Sequence, residues 1–99
     1  RMIKKEPLKN ASQVKLTFVL PADNTRSRVS VVGDFNGWDP AIMPMGKRSN
    51  GTLSASVALD PGQRVRFRYF AANGEWFNDD GADAYEPGEF GAENGIVVI

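Results

Sequence analysis

The sequence contains no cysteine and no histidine. Without thiols there is no disulfide framework and no thiolate metal site, and an intracellular, cytoplasmic location is permitted. Without either residue the commonest general base and the thiolate nucleophile are both missing, which weighs against an enzyme. No apolar run approaches the roughly 18 residues of a membrane span, and no signal-peptide core is legible. Net charge is lacking as well, with 12 Lys plus Arg against 12 Asp plus Glu. No bulk field therefore draws in nucleic acid or an anionic membrane. No stretch shows the 3.6-residue periodicity of an amphipathic helix.

What is present is alternation. Val14, Leu16, Phe18 and Leu20 share one face of a strand that Pro21 stops, with Lys15, Thr17 and Val19 on the other. Val29 and Val31 alternate with Arg28 and Ser30, and Leu53, Ala55, Val57 and Leu59 alternate with small polar residues. The longest such run sets Val65, Phe67, Tyr69 and Ala71 against Arg64, Arg66, Arg68 and Phe70. Turns punctuate these runs at Asn50-Gly51, at Asp60-Pro61-Gly62 and at Asn73-Gly74, the last being the strongest two-residue hairpin signal. A short strand over Glu75–Asn78 and a closing apolar strand Ile96–Ile99 complete the set, while residues 41–48 read as irregular. Six or seven short strands at this spacing predict an all-β, immunoglobulin-like antiparallel β-sandwich. The 99 residues make one domain, with residues 1–12 as an N-terminal arm that pairs, if at all, as an edge, and 13–99 as the sandwich.

The charges are unevenly placed. Seven of the basic residues lie in the first 28 positions, and beyond Arg68 every charged side chain is acidic. Adjacent termini would neutralise one another, which is the plainer reading than a binding tail. The acidic segment Asp79–Glu93 reads as a long solvated loop with Pro87 and glycines. Asp79 and Asp80 do not make a hydrolytic carboxylate pair, because neighbours on extended chain point apart. Asp79-Asp80-Gly81-Ala82-Asp83 lacks the spacing of a twelve-residue calcium loop. No cofactor or metal is implied.

Three arginines on one strand face beside aromatics could form a single-strand nucleic-acid platform. On a neutral domain, however, they read as an exposed polar face. The two tryptophans, Trp38 and Trp76, sit on or beside turns, not in mid-strand. Trp38 follows Gly33-Asp34-Phe35-Asn36-Gly37, a turn whose Gly, Asn and Asp tolerate positive φ or bond their own backbone. A large aromatic there is either a core anchor folded under the sheet or a stacking platform for a flat ligand face. Sugar rings have such a face, and their hydroxyls need Arg, Lys or Asn groups beside it.

Val32-Gly33-Asp34-Phe35-Asn36-Gly37-Trp38, Leu59-Asp60-Pro61-Gly62, Phe67-Arg68-Tyr69-Phe70 with Gly74-Glu75-Trp76, and Phe90-Gly91-Ala92-Glu93-Asn94 occur in that order. In combination they resemble family 48 carbohydrate-binding modules. That family includes the glycogen-binding domain of the AMP-activated protein kinase β subunit and the isoamylase N-terminal early-set domain. The resemblance runs from about Val14 to Ile99. It implies a non-catalytic sandwich that binds α-1,4-linked glucan such as glycogen, starch or maltooligosaccharide. By position, Trp38 and Trp76 match the family's stacking tryptophans, Arg68 a hydroxyl-bonding Lys, and Asn94 its sugar-binding Asn. Phe90 falls where glycogen binders insert an apolar residue into the curved glucan, and Ala92 where they carry a Thr hydroxyl. An isoamylase-like alternative keeps the fold, loses the sugar and acts as a structural or protein-interaction module, with a glucan-active enzyme as partner in trans.

Overall fold

Each stretch of period-two alternation folds as a strand. A computed structural model describes residues 2–9, 12–21, 28–88 and 93–99. Among them are nine strands: β1 (Met2–Pro7), β2 (Val14–Leu20), β3 (Val29–Gly33), β4 (Gly46–Lys47), β5 (Leu53–Leu59), β6 (Arg64–Ala71), β7 (Trp76–Phe77), β8 (Ala84–Pro87) and β9 (Glu93–Val98). They form two antiparallel sheets, ordered β1-β2-β5-β4 and β3-β6-β9-β8, with β7 also paired to β6. This is the all-β, immunoglobulin-like sandwich that the turn spacing predicts.

The strands beyond the expected seven are short. β4 arises in the irregular 41–48 segment because the turn at Asn50-Gly51 folds Gly46 back onto Ser54 and Lys47 onto Leu53. β8 lies inside the acidic segment, pairing Ala84 with Ile96 and Pro87 with Glu93. Pro87 is tolerated there because β8 is an edge strand. Part of that expected loop is therefore the arm of a hairpin.

β1 pairs along β2 with Ile3 opposite Phe18 and Lys5 opposite Leu16. Both β2 partners face the core, so Ile3 and Lys5 turn inward between the sheet edges. Ile3 packs on the core. The Lys5 ammonium crosses to the other sheet and meets Asp83 at 2.7 Å. Basic amino-terminal and acidic carboxy-terminal segments do neutralise one another at this point.

The core is built from Leu16, Phe18 and Leu20 on one sheet and Val29, Val31, Val65, Phe67, Tyr69, Ala71 and Val97 on the other. Phe18 is its centre, with ring centroids of Phe67, Phe35 and Tyr69 at 4.9, 5.9 and 6.2 Å. Such offset and edge-on aromatic packing adds about 0.5–1.5 kcal/mol per pair beyond area burial.

One acidic residue departs from the solvated loop that the sequence predicts. Asp79 is only 1% exposed. Its carboxylate accepts the Tyr69 hydroxyl at 2.6 Å and the Gly81 backbone N–H at 2.7 Å. The Tyr85 hydroxyl donates to its carbonyl. A buried carboxylate is tolerated when donors replace its water, and these three bonds tie the segment after β7 beneath the sandwich. Burial, reinforced by the bond to Asp79, pushes the Tyr69 phenol well above its ordinary pKa.

Candidate functional site

β6 positions the site. Its core-facing residues alternate with Arg64, Arg66, Arg68 and Phe70, which form a ladder on the outer face of the sheet. Cross-strand pairing widens each rung. Phe70 is opposite Ser30 of β3 and Trp76 of β7, Arg68 opposite Val32, and Arg66 opposite Ile96 of β9. Val32 and Ile96 are fully buried, yet neither belongs to the interior cluster. The longer side chains of this face therefore lie over an apolar floor.

On one edge of β6, β9 pairs up to Phe67 and β7 begins at Tyr69, so Arg68 stands at the junction. Its Nε donates to Asn94 Oδ1 at 2.7 Å. Asn94 is 8% exposed, an amide held almost out of water. No other described residue engages the Arg68 terminal nitrogens or the Asn94 amide nitrogen. This pair thus presents donors with fixed geometry, a guanidinium fork beside an amide. Trp76 lies next along the face, 46% exposed, leaning on Phe70 with ring centroids 4.6 Å apart.

Trp38 is linked to the same face, through Asp34 and Arg66, from the turn that follows β3. Asn36 organises that turn: its Oδ1 accepts the Gly33 N–H at 3.0 Å and its Nδ2 donates to the Val31 carbonyl at 2.9 Å. Gly33 lies so close to β6 that a Cβ would stand 2.4 Å from the Arg66 carbonyl. Phe35 turns inward and stacks on Phe18, whereas Trp38 stays half-buried and outside the core cluster. Of the two readings of Trp38, core anchor is the one that its position does not fit. Its indole N–H donates to Asp34 Oδ1 at 3.1 Å. The other carboxylate oxygen of Asp34 accepts the Arg66 backbone N–H at 2.9 Å and its Nε at 3.1 Å. Burial works to raise the Asp34 pKa, but these bonds outweigh it and hold the carboxyl below its ordinary value.

The described structure therefore brings Arg68, Asn94 and Trp76 onto one face and ties Trp38 to it through Asp34 and Arg66. Phe90 and Ala92 lie outside the described residues. The arginine ladder is internally paired: Arg66 and Arg64 stand 3.7 and 3.8 Å from Glu86, and Arg66 also meets Asp34. Among the described residues no group of three or more acidic side chains is arranged to hold a metal ion. No described helix is long and apolar enough to cross a membrane.

Two residues of the site are not marked as such by the sequence: Asp34, and Phe70, which lies on the expected face but also supports Trp76. The Phe70 role was latent in the alternation. Asp34 gave no signal, since an aspartate in a Gly/Asn turn reads only as a turn former.

The family model for carbohydrate-binding module 48 (isoamylase N-terminal domain) matches residues 10–85. The chain belongs to this family. Carbohydrate-binding modules 48 bind carbohydrate and are not catalytic domains. The matched span holds Trp38, Arg68 and Trp76 and stops short of Asn94. Amylopullulanase from Thermoanaerobacterium thermosulfurigenes is 34% identical over 83 residues, which cover 81% of this chain and 4% of that protein. The 1,4-alpha-glucan branching enzyme of Deinococcus radiodurans is 42% identical over 59 residues, 59% of this chain and 8% of that protein. The branching enzyme of Ralstonia nicotianae is 43% identical over 63 residues, 58% of this chain and 8% of that protein. The module thus spans a small fraction of the relatives it matches.

Proposed function

We propose that this module binds α-1,4-linked glucan, as glycogen, starch or maltooligosaccharide, without chemistry of its own. Trp38 and Trp76 stack on glucose rings, Arg68 and Asn94 bond their hydroxyls, and Phe90 packs against the curved chain. The observation that carries this reading is the Arg68–Asn94 bond of 2.7 Å beside the exposed Trp76. It leaves fixed polar donors next to an apolar ring, which is the pairing a sugar's two-sided surface requires. Membership of a carbohydrate-binding family supports it further. By analogy with base stacking, an aromatic contact is worth about 1–3 kcal/mol, so losing either tryptophan weakens binding about tenfold or more.

Titration with β-cyclodextrin, alongside co-sedimentation with glycogen, tests the reading. Wild type binds, and Trp76→Ala binds at least severalfold more weakly at unchanged stability. Indistinguishable binding by the two proteins would sink the site assignment. Prolonged incubation with glucan releases no reducing ends.

A second reading is favoured by the three relatives named above, each a glucan-active enzyme of which the matched segment is a minor part. In it the module keeps the fold and docks onto a glucan-active enzyme, supplied in trans, without gripping sugar itself. Native protein that binds no α-glucan but is retained by such an enzyme would establish it.

A further inference from the structure

We infer that Asp34 is the positioning residue for Trp38, fixing the indole so that it offers a ring face, and not its N–H, to the ligand; this rests on the glucan-binding reading above. Gly37 and Trp38 both have positive φ, 65° and 59°. Glycine accepts this at no cost, but for a bulky side chain it is an outlier that surrounding structure must impose. Two bonds impose it here. The Trp38 backbone N–H donates to the Gly33 carbonyl at 3.0 Å, closing the turn, and the indole N–H donates to Asp34 at 3.1 Å.

Asp34 is itself held. β3 ends at Gly33, which pairs with Phe67, so the next rung of the ladder has no backbone partner from β3. The Asp34 carboxylate fills that place by accepting the Arg66 backbone N–H at 2.9 Å and then takes Arg66 Nε at 3.1 Å. The charged groups around it are Arg66 on β6 and, beyond Arg66 at 3.7 Å, Glu86 on β8. Three donors converge on one side chain. Only a carboxylate, with acceptor lone pairs on both oxygens and no donor, satisfies all of them. An amide of the same shape has one acceptor oxygen, which the two Arg66 donors would claim, turning its own N–H groups against the indole.

This geometry has a consequence for recognition. The polar edge of Trp38 is spent on the protein, so the ring meets a ligand through its π face alone, already oriented before binding. Fixing the ring in advance removes an ordering cost that association would otherwise carry. Hydroxyl recognition is left to the Arg68–Asn94 pair.

The test is a double-mutant cycle read by β-cyclodextrin affinity, with the exchange rate of the Trp38 indole N–H followed by NMR. There are only two tryptophans, so Trp76→Phe assigns the two indole lines. Asp34→Ala is expected to weaken binding about tenfold. In a Trp38→Gly background it adds no further loss, whereas in a Trp76→Ala background the losses multiply. The Trp38 indole N–H exchanges severalfold faster in both Asp34→Ala and Asp34→Asn. An equal loss from Asp34→Ala when Trp38 is already absent would overturn the inference, since Asp34 would then act through the fold. Unchanged indole exchange would overturn it too. If wild type binds no β-cyclodextrin the glucan reading fails, and the exchange rates alone still judge the positioning role. Asp34→Asn, which keeps the side-chain volume, carries the measurement if the alanine variant does not fold.

Discussion

Replacing Trp38 by glycine separates a ligand platform from a structural anchor. The backbone at 38 has φ 59°, a left-handed conformation that costs an L residue about 1–2 kcal/mol and glycine almost nothing. Relief of that strain opposes two losses. One is the indole bond to Asp34, worth about 1 kcal/mol net at a partly exposed site. The other is the extra freedom of glycine in the unfolded chain, about 0.5–1 kcal/mol. The ring is half-buried and outside the core cluster, so little packing is forfeited. The sum lies within about 1 kcal/mol of zero, a shift of no more than roughly 4–8 °C in Tm for a domain of this size. Glucan affinity falls about tenfold or more over the same change. Had Trp38 been a core anchor, its removal would cost about 3–5 kcal/mol and lower Tm by roughly 12–40 °C. Scanning calorimetry and β-cyclodextrin titration on the same sample distinguish the cases. A Tm loss beyond about 15 °C, or undiminished affinity, refutes the reasoning.

Other outcomes follow from the same contacts. Tyr69→Phe leaves the buried Asp79 carboxylate without its hydroxyl donor and should destabilise by about 1–3 kcal/mol in urea unfolding, with glucan affinity unchanged. Gly33→Ala drives a Cβ to 2.4 Å from the Arg66 carbonyl, forcing β3 and β6 apart; a loss of about 1–3 kcal/mol in thermal unfolding is expected. Asp34 and Asp83 both have folded pKa values below their ordinary ones: for Asp83 the Lys5 ammonium and the Val98 N–H are the causes, and for Asp34 the Arg66 and Trp38 donors prevail over burial. Each therefore stabilises the fold fully above the unfolded carboxylate value of about 3.9, and that contribution disappears as pH falls through the lower folded value. Tm should stay level down to about pH 5 and drop below about pH 4. The acid limb should be shallower in Asp34→Asn, and a limb as steep as wild type would count against the linkage.

Legibility in the sequence tracked whether the cause was local. Alternation along Val14–Leu20 and Gln63–Ala72 set which side chains face the core, since a strand's period of two leaves no other assignment once one face is apolar. Hairpin turns at Asn50-Gly51 and Asn73-Gly74 follow from residues that accept positive φ, and Gly51 and Gly74 do have φ of 87° and 94°. Strands β4 and β8 were not legible, because two to four residues carry too little pattern and pair only when a neighbour presents a free edge. Asp79 looked like any loop acid, since its burial depends on a tyrosine hydroxyl ten residues back arriving at the end of the core.

The same division runs through the site. Sequence pattern determined the fold class and the arginine and aromatic face of β6, and the family resemblance carried by the sequence supplied the candidacy of Trp38, Trp76, Arg68 and Asn94. The tertiary structure alone decided that Arg68 and Asn94 bond each other from strands 26 residues apart, and that Trp76 leans on Phe70 across a hairpin. It also decided that a turn aspartate 32 residues from Arg66 would complete the ladder of β6 and hold an indole by its N–H. Which face a side chain takes is written in its neighbours along the chain. Which partner it meets on that face depends on register between strands, and register is settled only when both sheets close on the core.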